Sequence, residues 1–219
     1  MVEFYKLQKK RFLGFSVNTN IILLNIACFI IFSILLWKWD YLLDYIALRP
    51  SNILQGKYLW TFFTSMFMHA GFFHIFANMV SLIFIGSLVQ RIIGSKRYFY
   101  LYLISGLFAG LFFVLSGLVF PSDYNTYAVG ASGAIFGLIG FLMIITPNLP
   151  VYVLFIPIPI KMKYAAPGML IVLWLISIAG NVPIGNMAHL GGLIAGLAYG
   201  FYLRQKYKNK TRAINKFFS

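Results

Sequence analysis

The residues best suited to chemistry are one serine and three histidines. Ser132 sits in the run Gly130-Ala131-Ser132-Gly133-Ala134-Ile135-Phe136-Gly137, where small side chains let another backbone come close to its hydroxyl. A polar stretch, 121–127, precedes the run and a long apolar segment follows it, so Ser132 falls in the first turn of a helix. There the unpaired N–H groups and the positive end of the helix dipole favour an oxyanion. Taken alone, the same run reads equally as an N-cap serine or as a helix-packing face with Gly133 and Gly137 as a GxxxG pair.

The histidines are His69, His74 and His189, and Asn78 follows His74 at i, i+4 on one helix face. A zinc-protease helix needs HExxH, whereas His69 and His74 are spaced HAGFFH with no carboxylate beside them. No metal and no cofactor are expected. Glu3, Asp40, Asp44 and Asp123 are the four acidic residues, and none falls in an apolar segment. A buried third triad member is therefore not expected, and Ser132 with His189 would act as a dyad of nucleophile and general base. Plainer alternatives stand beside this reading: His189 bonding a neighbouring carbonyl, His69 in structural duty, and His74 with Asn78 as packing residues.

The elements that must position these residues belong to a membrane bundle. The 219-residue chain is 61% hydrophobic and 10% charged, against roughly 45 to 50% and about 25% in soluble domains. At about 20 residues per span, the length accommodates six spans and no large soluble domain. The expected fold is an all-α polytopic bundle with spans near 20–37, 72–93, 98–120, 132–146, 164–179 and 188–202. A basic segment, 1–19, precedes the membrane domain, 20–203, and a basic polar tail, 204–219, follows it. The long segment 40–70 is expected to be functional, with the aromatics of 59–68 in the interface. Residues 151–160, with Pro157 and Pro159, are expected to be an extended interfacial loop. Cys28, the lone cysteine, lies in the first span as a packing residue.

The net charge of +14 could be read as nucleic-acid affinity. The basic residues, however, flank apolar segments, and the positive-inside rule accounts for them without a nucleic-acid partner. With the N-terminus inside, basic residues gather at 6–11, 91–97, 161–163 and 204–216, leaving only Lys38, Arg49 and Lys57 outside. Both termini are thus expected in the cytoplasm. Spans two, four and six then start at the outer face, which puts His74, Asn78, Ser132 and His189 in one leaflet. Ionisable groups there are costly and point to function. No small-residue cleavage site follows 1–15, so the first span is expected to be retained. The short length without a targeting signal is read as a plasma-membrane setting.

From about 59 to 199 the chain resembles the rhomboid family of intramembrane serine proteases. The resemblance rests on HAGFFHIFAN as HxxxxHxxxN, GASGAIFG around the serine, and AHLGGLIAG as AHxxGxxxG with Gly192 and Gly196. It implies the basic six-helix rhomboid core, with Ser132 as nucleophile and His189 as its base. It further implies His74 and Asn78, beside Gly130, as oxyanion residues, and His69 as a supporting one. Phe136 stands one turn after the serine, where it can stack under His189. Gly133 and Gly137 on span four and Gly192 and Gly196 on span six allow the close approach that the serine and histidine need. The implied substrates are spanning or juxtamembrane parts of other membrane proteins, with no cofactor and no stated oligomeric state. The chain departs from the family at Thr61, where arginine often follows the tryptophan, and at Gln90, where a glutamate is usual. Both departures bear on a stabilising contact and not on the chemistry. The rival functions are an inactive relative that binds spanning helices, and a small transporter. The latter would show inverted repeats, which the sequence lacks.

Overall fold

The computed structural model describes residues 14–152, 158–180 and 184–217. The basic residues Lys6, Lys9, Lys10 and Arg11, and Pro157 of the expected extended loop, lie outside the described residues. The long helices are α1 (Val17–Lys38), α2 (Phe72–Ile93), α3 (Ser95–Val119), α4 (Ser132–Ile145), α5 (Met162–Gly180) and α6 (Asn186–Lys206). Four of them, α1, α2, α3 and α5, are long and apolar enough to cross a membrane. The apolar α4 has 14 residues, and α6 has 21 but carries glycines and polar side chains along its length. Among the described residues the regular structure is helical apart from one antiparallel pair of two-residue strands, β1 (Pro150–Val151) with β2 (Ile160–Lys161). The chain is an all-α, multi-pass membrane protein.

A helix that is apolar all round belongs in the centre, and α4 is buried along nearly its whole length. Helices α3 and α6 pack on it, while α1 and α5 turn most of their apolar side chains outward. Such outward apolar surface suits lipid, which solvates it as well as a protein core would. Start signals are local and conventional. Ser16 caps α1 by accepting from the Thr19 amide at 3.1 Å. Between α2 and α3 the chain turns on the single residue Gly94, whose φ of +82° suits glycine.

Within α2, residues Leu82–Gly86 form a π turn, and a buried polar side chain explains it. Asn18 of α1 donates through Nδ2 to the Leu82 carbonyl at 2.7 Å and to Ser87 Oγ at 3.1 Å. In the widened turn the Leu82 carbonyl accepts the Ser87 amide and, with its second lone pair, the Asn18 side chain. Tyr98 of α3 donates to Asn18 Oδ1, so the same asparagine ties three helices together. Gln90 joins the group, accepting from the Asn18 amide at 2.7 Å and donating to Ser95 Oγ at 3.1 Å.

The segment between α1 and α2 folds into short helices, Leu43–Ile46, Pro50–Leu54 and Thr61–Thr64. Its aromatic stretch divides by face: Leu59, Trp60 and Phe63 are exposed, while Thr61, Ser65, Met66, Phe67 and Met68 are buried. The expected polar tail is in part a helix, α7 (Lys208–Phe217), with Tyr207 and Ile214 packed against the core.

Candidate active site

Helix α4 starts at Ser132 and α6 starts three residues before His189. The two helices approach backbone to backbone where glycines face across the seam. A Cβ added to Gly192 would collide with the Gly133 carbonyl, and one added to Gly196 with the Gly137 carbonyl. The approach sets the two starts level, and His189 Nε2 lies 2.9 Å from Ser132 Oγ. His189 is only 7% exposed. The Phe136 ring stacks on the imidazole with centroids 4.5 Å apart and planes 20° from parallel. Among the described residues, His189 Nδ1 has no hydrogen-bond partner.

Facing this pair is the start of α2. Gly130 has φ +113°, and a Cβ there would fall 2.7 Å from His74 Nε2 and 3.7 Å from Asn78 Nδ2. Only glycine serves at 130, for its backbone angle and for the room it leaves. The Ala70 amide reaches His74 Nδ1 at a long 3.4 Å, so the neutral ring carries its proton on Nε2, toward Gly130. Asn78 spends one Nδ2 hydrogen on the His74 carbonyl at 2.9 Å, which leaves the other for the space beside Gly130. His69 is buried next to this group, its ring edge-on to His74 with centroids 5.1 Å apart. Ser132, His189, His74, Asn78, Gly130 and Phe136 thus converge, and His69 stands one ring behind.

Several residues that frame the site carry no signal in the sequence. The Gly130 amide donates to the Ser65 carbonyl at 2.8 Å, and Leu48 and Ala128 exchange amide bonds at 3.1 and 2.8 Å. These bonds hold the segment before Ser132 to the segment before α2. Asp44 accepts from Tyr127 at 2.7 Å and from Asn52 at 2.8 Å, and pairs with Arg49 at 3.4 Å. Partial burial pushes the Asp44 carboxyl up, but the hydrogen bonds from Tyr127, Asn52 and Arg49 together hold it below its ordinary range. Behind α4, Ser105 and Ala109 of α3 fill the space against Gly137 and Gly133.

A serine and a histidine in contact at the starts of two closely packed helices, inside an apolar bundle, define a membrane protein with a candidate nucleophilic site. Residues 56–206 match the Rhomboid domain, and the chain belongs to the rhomboid family. RHOMBOID-like protein 1 of Arabidopsis thaliana is 38% identical over 160 residues, covering 71% of this chain and 37% of the relative. Inactive RHOMBOID-like protein 8 of the same plant is 32% identical over 146 residues, 65% of this chain and 38% of the relative. Rhomboid protein 1, mitochondrial, of Saccharomyces cerevisiae is 27% identical over 189 residues, 81% of this chain and 51% of the relative. The chain therefore spans from about a third to about half of the length of these curated relatives.

Proposed function

We propose that the protein is an intramembrane serine endopeptidase that cuts spanning or juxtamembrane segments of other membrane proteins. The observation that carries the reading is the 2.9 Å contact between Ser132 Oγ and His189 Nε2 inside an apolar bundle. In this reading Nε2 takes the hydroxyl proton as Oγ bonds to the scissile carbonyl carbon, and Phe136 holds the imidazole in line. Charge then develops on the carbonyl oxygen. The amides at the start of α4, His74 Nε2–H and the spare Asn78 Nδ2–H are the donors that receive it. Protonated His189 gives its proton to the leaving amine, and the acyl-serine is opened by water activated at the same nitrogen. No third side chain is required, in keeping with the unpartnered His189 Nδ1.

We further propose six membrane-spanning helices, α1 to α6, in a plasma membrane. Both termini are on the cytoplasmic side and the serine is toward the outer face. The basic residues at the end of the bundle opposite Ser132 support that orientation. One relative bears the word inactive in its name, but the intact Ser132–His189 contact favours catalysis here. The test is covalent labelling by a fluorophosphonate together with cleavage of a spanning model substrate in liposomes. Wild-type protein should give both, and Ser132→Ala neither. Wild-type protein that is folded yet gives no labelling and no cleavage would sink the protease reading in favour of a helix-binding one.

A further inference from the structure

The charge of the chain is divided between its two ends. Among the described residues the acidic side chains are Asp40, Asp44 and Asp123, all in segments at the Ser132 end. The opposite end carries Arg97, Arg204, Lys206, Lys208, Lys210, Arg212 and Lys216 and no described carboxylate side chain. Two of these cations reach the hydroxyls of neutral tyrosines. Arg97 donates to Tyr207 Oη and Lys206 to Tyr202 Oη, each at 2.9 Å.

Helix α6 breaks at Tyr207 (φ −125°, ψ 48°), and α7 then turns to touch the end of α4. Tyr207, Thr211, Ile214 and Asn215 are its half-buried positions, spaced i, i+4, i+7 and i+8. Lys208, Arg212 and Lys216 form an exposed row at i, i+4 and i+8, with Lys210 flanking. Residues 205–210 line an open hollow of about 430 Å³ beside Tyr207. An amphipathic helix seated on the end of a membrane bundle lies at headgroup depth, where basic side chains meet lipid phosphates.

We propose that the basic face of α7, with Arg97 at its edge, binds the phosphates of anionic phospholipid headgroups in the leaflet at that end of the bundle. The lipid supplies anions to a face where the described residues present basic side chains and no carboxylate side chain. The inference stands whether or not Ser132 is catalytic, because none of these residues touches that site.

The experiment uses delipidated full-length protein in neutral detergent, titrated with short-chain phosphatidylglycerol or phosphatidylcholine and read by native mass spectrometry. Phosphatidylglycerol should be retained preferentially. Retention should weaken about fivefold for each basic side chain neutralised, and about a hundredfold in Lys208→Gln/Lys210→Gln/Arg212→Gln. The charge-keeping Lys208→Arg/Lys210→Arg/Arg212→Lys should retain it. Thermal unfolding reports whether each variant is folded. In the wild type, potassium chloride should release the lipid progressively, which tests the proposal independently of any variant. It is overturned by equal retention of the two lipids, by an unaltered triple variant, or by retention insensitive to salt. It is equally overturned if inorganic phosphate or a short RNA displaces the lipid at matching concentration, since the face would then suit a free ion or a nucleic acid.

Discussion

Gly192 of α6 lies directly against the carbonyl of Gly133 on α4, with no room for one methyl group between them. The obstacle is backbone, so no rotamer change can relieve it. In Gly192→Ala the start of α6 must move outward, and His189, three residues earlier, moves with it. A displacement of about 1 Å costs on the order of 100-fold in rate. Fluorophosphonate labelling of Ser132 should slow by about that factor. Gly168→Ala, where an added Cβ meets nothing within 4 Å, should label normally. Equal labelling rates for the two variants would show that this contact does not set the Ser132–His189 distance.

His74 and Asn78 are proposed to share the oxyanion with backbone amides, so neither should be indispensable. Loss of one such donor costs about 2.7 to 4 kcal/mol, or roughly 100-fold to 1,000-fold in turnover. His74→Ala and Asn78→Ala should each leave weak cleavage of a spanning substrate in liposomes, whereas Ser132→Ala leaves none. If both donor variants cleave at the wild-type rate, the start of α2 has a structural role only.

The candidate site was legible in the sequence because histidines are rare in this apolar chain and its small residues are regularly spaced. One serine among glycines, three histidines, and glycines four apart on two segments leave few arrangements open. The framework was less legible. Asn18 finds partners 64 to 80 residues away, and a single asparagine in an apolar span has no period that would reveal them. The same holds for Asp44 and Arg49, whose partner Tyr127 is 83 and 78 residues distant. In the basic, polar tail the i, i+4, i+7 spacing of Tyr207, Thr211 and Ile214, which seats α7, is hidden among basic residues. The departure at Gln90 is resolved by geometry, since its amide both accepts from Asn18 and donates to Ser95. No such replacement exists at Thr61, whose buried hydroxyl has no partner among the described residues.

The Asn18 group gives a stability prediction. Asn18→Leu leaves the buried Tyr98 hydroxyl without its partner and removes the side-chain bond to the Leu82 carbonyl, which keeps the Ser87 amide. The orphaned hydroxyl costs about 1 to 3 kcal/mol, so the thermal midpoint in detergent should fall clearly. Gln90→Glu should be mild, because a carboxylate can accept from both the Asn18 amide and the Ser95 hydroxyl. Gln90→Leu should approach the damage of Asn18→Leu. A Gln90→Glu chain less stable than Gln90→Leu would mean that burying the charge outweighs both bonds.

His69 makes stability depend on pH with a definite sign. Its burial, and next the adjacent His74, push the imidazole down from its ordinary value to about 3. In the unfolded chain the same ring takes up a proton at about 6.5. The folded value is the lower one, so folding favours the neutral ring. The stability this confers is fully present above about pH 6.5 and is lost as pH falls from there toward 3, where the unfolded chain holds a proton that the folded chain refuses. The slope from this one group is at most about 1.4 kcal/mol per pH unit. His69→Leu keeps an apolar, similarly sized group in place and removes the titration. Thermal midpoints measured from pH 7 down to 4 should therefore fall less steeply in His69→Leu than in the wild type. Every other titrating group is common to both chains and cancels in the comparison. Parallel curves for the two proteins would mean that His69 is protonated in the folded state at the same pH as in the unfolded one, and that its burial next to His74 carries no electrostatic penalty.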